Sequence, residues 1–387
     1  MGVIIKKNIL ITGARFFTAL DLARAFHRDG HNIFVCDSKP IHLCAFSNTV
    51  KKSFKIPSPR FEFENFKNKL KDIILENKID IVIPVFEETL YVAKAKSFLS
   101  QFTEVFCSSI DLVHLLHNKW TFHNLLVKEG IPTIPTYKID NIEDIEKQEL
   151  SFPYVLKASY SRGSFTLKKI EKKQDYKNLK ILKKNPWIKQ KWIEGQKFCS
   201  YSIVKNGKLI INIIYPLYVK GIGYCLTFEN IENKKIEKWI ADFVKKINFT
   251  GQISFDFIED FDGNLFAIEC NPRATSGLHL AVYHNKFSDF FINQQNDLMI
   301  MDQKVFTQLA VGMILYGLKQ RDKSISLLKY IKNQMKIKDV VFSKKDLKPF
   351  LFQFFLYVYC FYESFKNKLP IPISFINDLN WDEEIEF

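Results

Sequence analysis

The sequence has no CxxC pair, no apolar run of transmembrane length and no GxGxxG turn. Each absence removes a class of protein. The seven cysteines (Cys36, Cys44, Cys107, Cys199, Cys225, Cys270, Cys360) are scattered, mostly in apolar company. That pattern excludes a zinc or disulfide framework and points to reduced thiols in a cytoplasm. No stretch reaches the roughly 20 apolar residues that a membrane-crossing helix needs. The opening MGVIIKKNILITG sets Lys6 and Lys7 inside its apolar run and continues into a strand, unlike a secretory leader. Lys6 also stands where a myristoylation motif takes Ser or Thr. The formal charge is +14, but the lysines are dispersed in short pairs such as Lys168-Lys169 and Lys183-Lys184. With no RNA- or DNA-binding motif, a solvated lysine-rich surface is expected and no nucleic-acid partner.

The 387 residues are ample for two or three subdomains. The first hundred alternate strand and helix. Asn8–Thr12, Ile33–Cys36 and Ile79–Val85 read as strands; Ala19, Leu22, Ala23 and Phe26 fall at helical spacing, and Phe66–Glu76 is a second helix. This is a doubly wound α/β pattern with a parallel sheet. Its first turn, TGARFF, has one glycine, so the phosphate cradle of a dinucleotide site is missing. Arg15 and the Glu87-Glu88 pair lie at C-terminal ends of strands, where such sheets bind ligands. Arg15 there holds a substrate carboxylate and Glu87 an amine, or both are polar loop residues.

The chemistry concentrates in Gly251 to Arg273, GQISFDFIEDFDGNLFAIECNPR. It reads as two strands joined at Asp262-Gly263, a two-residue hairpin signal. That register pairs Asp256 with Glu269 and puts Leu265, Ala267, Glu269 and Asn271 on one face. Paired carboxylates with Cβ atoms roughly 5 Å apart repel by something on the order of 3 kcal/mol at an effective dielectric of ~20. Such an arrangement needs a cation or a shared proton. Two carboxylates and the Asn271 amide are hard oxygen ligands suited to Mg²⁺. With the Arg273 guanidinium beside them they form a cluster suited to phosphate. An exposed hairpin with its acids splayed into water is the bland alternative.

Two lysines stand in apolar settings. Leu112, Leu115, Leu116, Phe122 and Leu126 share a helical face that includes Lys119; alternatively Asn118 caps a new helix and Lys119 lies in its first turn, an anion site. Lys157 lies inside the strand Phe152–Ser159, and a small polar loop, Ser161-Arg162-Gly163-Ser164, follows. A lysine so placed needs an anion. Trp187–Gly195 is a strand leading to a turn, Tyr201–Val204 and Lys208–Tyr215 form a hairpin over Asn206-Gly207, and Glu229–Ile247 is a helix.

Residues 8 to 285 resemble the ATP-grasp superfamily, especially its carbamoyl-phosphate synthetase and biotin carboxylase branch. The parts that carry the resemblance are Asn118-Lys119, Val155-Leu156-Lys157, Ser161-Arg162-Gly163-Ser164, Gln190-Lys191-Trp192-Ile193-Glu194-Gly195 and Glu269-Cys270-Asn271-Pro272-Arg273, in that order. The resemblance implies an α/β and α+β chain: a doubly wound preATP-grasp domain (1–105), then an ATP-grasp fold with a lid and glycine-loop subdomain (106–185) and a metal-site subdomain (186–300), and a helical C-terminal extension (301–387). It implies that Lys119 and Lys157 contact ATP phosphates under a loop of Ser161, Gly163 and Ser164. Gln190 meets the adenine amino group, and backbone at Lys191 and Ile193 reads the ring. Asp256, Glu269 and Asn271 hold Mg²⁺, with Mn²⁺ as a substitute. Arg162, Lys220 and Arg273 hold the acid and the charge developing on the transferring phosphoryl group.

The expected reaction is ATP-dependent activation of a small-molecule carboxylate as an acyl phosphate and its coupling to an amine, less often a thiol, with release of ADP and phosphate. The alternative is a catalytically reduced ATP-binding protein using nucleotide as a structural or regulatory ligand. Departures from the family pattern are Gln190 for Glu, Lys197 for a ribose-binding Glu, and Asp256 for Gln or Glu. A single grasp module argues against carbamoyl phosphate as product, and no biotin-like carrier segment is present. A homodimer stays open. The run Pro349–Tyr362 is apolar all round. It is expected as a buried helix capping the grasp domain; an interfacial helix touching anionic lipid through Lys345, Lys348, Lys366 and Lys368 is the sharper alternative.

Overall fold

The computed structural model describes residues 6–161, 166–176, 179, 181, 185–218, 225–292, 298, 304–320 and 326–381. The chain begins with a five-stranded parallel sheet in the spatial order Val50–Lys55, Asn32–Asp37, Asn8–Ile11, Ile81–Ile83 and Glu104–Val105. The central strands are apolar between their ends because both faces are covered. Ile9, Ile11, Ile33 and Val35 join one hydrophobic cluster, and Leu10, Phe34, Cys36 and Val82 join another on the opposite face. The two edge strands escape the sequence pattern. Val50–Lys55 reads VKKSFK, polar enough for a loop, because an edge strand is exposed along most of its length.

Two antiparallel four-stranded sheets follow. The first runs Thr136–Ile139, Trp187–Lys191, Tyr154–Ala158, Leu167–Ile170 in spatial order; the second runs Lys208–Pro216, Gly195–Lys205, Gly251–Asp260, Leu265–Asn271. The hairpin over Asn206 and Gly207 is as expected, with both residues at positive φ (47° and 72°), as a type I′ turn demands. The helix Lys234–Lys246, capped by Asn233, lays Ile236, Ile240, Phe243 and Val244 onto the second sheet. The expected start at Glu229 was too early, since Thr227–Glu229 is a strand.

The segment around Lys119 is two helices, Ile110–His117 and Lys119–Lys128. Asn118 separates them: it has extended backbone, and its side chain accepts from the amides of Trp120 and Thr121. The single-helix reading of Leu112 to Leu126 is therefore set aside.

The C-terminal region is less helical than expected. Phe306–Gln308 pairs with Thr227–Glu229 and with Lys338–Asp339 in a three-stranded sheet. The apolar run forms the helix Lys348–Asn367, but only Pro349 and Gln353 in it are buried. It does not cap the grasp sheets. It packs on Leu43–Phe46 of the N-terminal unit, where Phe352 stacks on Phe46 at 4.2 Å. A helix apolar all round can seat only one face on a neighbour, so the rest stays in solvent. Beyond it the chain returns to the first sheet, and Trp381 is buried against Tyr91. Among the described residues no helix is long and apolar enough to cross a membrane.

Candidate active site

The carboxylate hairpin departs from its expected turn, and a second departure compensates. Asp260, Phe261, Asp262 and Gly263 form a type I turn, with the Gly263 amide bonded to the Asp260 carbonyl and Gly263 at φ 80°. The strands then pair Glu259 with Leu265 and Phe257 with Ala267. Continued in register, Asp256 would meet Ile268. A β-bulge makes Ile268 the extra residue, so Asp256 pairs with Glu269 and Ser254 with Asn271. The bulge also reverses which residues face the core. Leu265 and Ala267 pack with Phe255, Phe257 and Cys270 under the Lys234–Lys246 helix, while Glu269 and Asn271 point the other way. The expectation that all four share a face is corrected accordingly.

A row of side chains thus crosses the sheet: Tyr215, Cys199, Asp256 and Glu269, each opposite the next. Burial, and secondly the Glu269 charge, push Asp256 up to about 6, although the Cys199 thiol donates to it. Lys119 arrives from the first turn of its helix, with Nζ 3.4 Å from Glu269 Oε1 and donating to the Ser161 carbonyl at 3.1 Å. Lys157 arrives from the other sheet, and its Nζ donates to the Ile268 carbonyl, the one exposed by the bulge, at 3.2 Å. Burial brings Lys157 down to about 8; the Glu269 charge only partly opposes this. Arg273 donates to Asn271 Oδ1 at 3.0 Å and lies over the Phe86 ring at 4.6 Å. Its buried Nε has no partner. Burial lowers the stability of its charge, and Glu269, Glu88 and Asp256 support it.

The donor set fits a hard divalent cation. Asp256 and Glu269 supply two carboxylates, and Asn271 supplies an amide oxygen with a lone pair beyond the one Arg273 uses. Among the described residues no ion pair reaches Asp256, and its raised pKa is what a carboxylate pair short of positive charge should show. Among the described residues no group of three His, Cys, Asp or Glu is arranged to hold a metal ion, so the third ligand of this set is the Asn271 amide oxygen.

Gln190 shares a face with Lys157, because Val155 pairs with Gln190 and Lys157 with Ile188. Its Nε2 donates to Thr136 Oγ1 at 2.8 Å, and that hydroxyl donates to the Ile134 carbonyl at 2.7 Å. The relay commits the amide nitrogen and leaves Oε1 as a free-standing acceptor. The Lys191 amide is already bonded to the Pro135 carbonyl, so of that residue's backbone it cannot serve a ligand in this conformation. Ile193 is half-buried in the turn that follows. Arg162, Gly163, Ser164 and Lys220 lie outside the described residues.

Arg15 and Glu87 do not join this cluster. Arg15 is buried, and its guanidinium is spent on Asp37, Asp378, Ser38 and the Phe375 carbonyl. It is a strut between the first sheet and the C-terminal segment, not a carboxylate receptor. Glu87 is wholly buried, 4.0 Å from His117 and accepting from the Trp381 amide. A buried acid among the chain's own donors has no path to a substrate amine. Sequence reasoning missed Glu88, whose Oε1 accepts from Thr12 and from the Val85 and Phe86 amides and whose carboxylate supports Arg273. It approaches Gly13 so closely that a Cβ there would lie 2.6 Å from the carboxylate. Phe86 and Cys199 were missed too; only the bulged register reveals Cys199. A largely apolar cavity of about 120 Å³, lined by Phe16, Leu43, Leu356 and Phe375 among others, lies under the C-terminal helix and touches none of the carboxylate cluster.

Residues 116–277 match the family model of the ATP-grasp domain. The chain is 26% identical over 280 residues to the carbamoyl phosphate synthase large chain of Clostridium botulinum (strain Kyoto / Type A2), covering 67% of this chain and 25% of that protein. It therefore spans about a quarter of the length of the curated relatives it matches. Among solved structures, N5-carboxyaminoimidazole synthetase from Staphylococcus aureus, complexed with ADP, shares the fold at TM-score 0.65 and 15% identity, over 82% of this chain and 86% of that one. L-amino acid ligase from Bacillus licheniformis does so at TM-score 0.59 and 16% identity, over 72% and 70%. A doubly wound sheet, two antiparallel sheets closing on paired lysines and carboxylates, and the match of residues 116–277 to the ATP-grasp domain model together mark this chain as similar to the ATP-grasp family.

Proposed function

We propose that the protein is an ATP- and Mg²⁺-dependent ligase that activates a small-molecule carboxylate as its acyl phosphate and joins it to an amine. The observation that carries this reading is the convergence of Asp256, Glu269 and Asn271 from one sheet with Lys157 from another and Lys119 from a helix start. Mg²⁺ held by Asp256, Glu269 and Asn271 would supply charge neutralisation between phosphate groups. Lys119 and Lys157 are buried cations whose present partners are a carboxylate and carbonyls, and both gain by exchanging a carbonyl for a phosphate oxygen. Gln190 Oε1, oriented through Thr136, accepts from the adenine amino group.

Arg273 sits beside the metal ligands with an unsatisfied Nε, placed to neutralise the phosphoryl group in transfer. Nothing covalent is asked of the protein; positioning and charge do the work. The acid's oxygen attacks the γ-phosphorus and ADP leaves. The amine then attacks the acyl carbon and phosphate leaves. Relatives named as carbamoyl phosphate synthase, N5-carboxyaminoimidazole synthetase and L-amino acid ligase support a carboxylate activated toward nitrogen.

The test is phosphate release from Mg-ATP with pooled carboxylic acids and amines, with products read by mass spectrometry. Glu269→Ala should lower turnover by at least about 100-fold, given the several kcal/mol of charge stabilisation that a metal supplies. Unchanged turnover in that variant defeats the metal assignment. Tight ATP binding with no phosphate released from any pool defeats the ligase reading.

A further inference from the structure

The helix Lys348–Asn367 leaves a continuous apolar stripe in solvent. Leu347, Leu351, Phe354, Val358, Phe361 and Phe365 are spaced alternately four and three residues apart, and each is 42–87% exposed. Phe355 and Tyr362 widen the stripe at 60% and 58% exposed. Its exposed aromatics alone present roughly 600–700 Å² of surface, taking about 200 Å² for a whole aromatic side chain. That exceeds the ~300–600 Å² of the largest patch on an ordinary monomer. The opposite face is anchored: Phe352 stacks on Phe46, and Glu363 pairs with Lys39 at 2.5 Å.

The charges around the stripe say what covers it. Lys344, Lys345 and Lys348 are exposed at its start, and Lys366 and Lys368 at its end. The only acid in the helix, Glu363, is neutralised by Lys39. A second copy laid along the seam, parallel or antiparallel, would set lysines against lysines at both ends. An anionic surface meets both clusters favourably, because the negative surface potential attracts lysines lying near it. The helix is not apolar enough to cross a bilayer. A helix of this kind, anchored along one side, lies in the interfacial plane.

We propose that this helix docks the protein on the surface of an anionic lipid bilayer, with the Leu347–Phe365 stripe sunk among the acyl chains and the two lysine clusters on the headgroups. The inference is independent of the ligase reading, because the stripe lies outside the carboxylate cluster.

The test is sedimentation of the full chain with vesicles of neutral phosphatidylcholine and with vesicles containing about a third phosphatidylglycerol, with sedimentation-velocity measurements on the protein alone. Binding to the anionic vesicles at least tenfold tighter than to neutral ones, weakened by added salt, is expected. Phe354→Ser with Phe361→Ser, both exposed positions, should reduce that binding at least tenfold while the circular dichroism and melting temperature hold. Replacing Lys344, Lys345, Lys366 and Lys368 with Gln should abolish the preference for anionic vesicles. No binding to either vesicle, equal binding to both, or a dimer that the two Phe→Ser changes dissociate would overturn the proposal.

Discussion

In its proposed role as a phosphate contact, Lys157 would tie nucleotide binding to pH through one buried side chain. Its ammonium has lost most of its water and has one carbonyl partner, and burial brings its pKa down to about 8 from the usual 10.5. Because the folded value lies below the unfolded one, the free protein carries a penalty below pH 8 that is relieved as pH rises from 8 to 10.5. Phosphate binding, as proposed for Lys157, would run the other way, since only the charged form would pair with a triphosphate. Affinity for Mg-ATP should be flat below about pH 8 and fall by up to tenfold per pH unit above it. Lys157→Arg, which stays charged, should flatten that profile whatever it does to the absolute affinity. Titration calorimetry from pH 7 to 9.5 makes the comparison, and a wild-type profile without a bend would mean that the ammonium does not touch the phosphates. The lysine itself was legible as a charge inside a strand. Its partner was not, because the Ile268 carbonyl is exposed only by an irregularity in the neighbouring sheet.

At the scale of the hairpin, the Asp256–Glu269 pair was readable, but the route to it was not. Asp262-Gly263 reads as a two-residue turn, whereas the chain uses a longer turn with Gly263 at φ 80° and then restores the pairing with the bulge at Ile268. The two one-residue offsets cancel. Period-two alternation is blind to such a pair of slips, which is why Leu265 and Ala267 were assigned to the wrong side. The edge strand Val50–Lys55 escaped for a different reason: exposure erased the apolar pattern on which strand recognition depends. By contrast, the Asn118 cap, the type I′ turn at Asn206-Gly207 and the central parallel strands are local or fully buried, and each was legible. The bulge makes a sharp prediction. Deleting Ile268 should carry the register from the turn straight through, leaving Glu269 opposite Asp256 on the same face but removing the carbonyl to which Lys157 donates. The buried Lys157 ammonium then loses its carbonyl partner, so a loss of roughly 1–3 kcal/mol in stability is expected while Mg²⁺-dependent nucleotide binding through the two carboxylates persists. Loss of Mg²⁺ dependence in the deletion variant would show that the bulge itself positions the metal ligands.

Across the whole molecule, Arg15 holds the two ends of the chain together. It joins Asp37 at the end of a first-sheet strand to Asp378, which is 341 positions further along and beside the buried Trp381. Burial opposes its charge, but Asp37 and Asp378 outweigh that and hold the guanidinium above its ordinary value. Asp378 is likewise kept below the usual carboxylate range, where Arg15 overcomes its burial. Removing the arginine leaves two carboxylates facing each other around Ser38, which also donates to Asp378. Arg15→Met should therefore cost about 3–5 kcal/mol, the usual range when one partner of a buried pair is deleted. Adding Asp378→Asn to that variant should recover part of the loss, a coupling on the order of 1–3 kcal/mol, because it removes one of the stranded charges. A substrate-binding arginine at the same sheet edge predicts the opposite signature: a raised KM with an unchanged melting temperature, and no rescue by Asp378→Asn. Thermal melts of the two variants beside their KM for the acid separate the roles. The strut also bears on the helix Lys348–Asn367, which lies between Phe46 and the Arg15–Asp378 pair along the chain. Its inner face is fixed at both ends, so its outer stripe is held as a rigid surface, and loosening the strut should weaken whatever that stripe contacts as well as the fold itself.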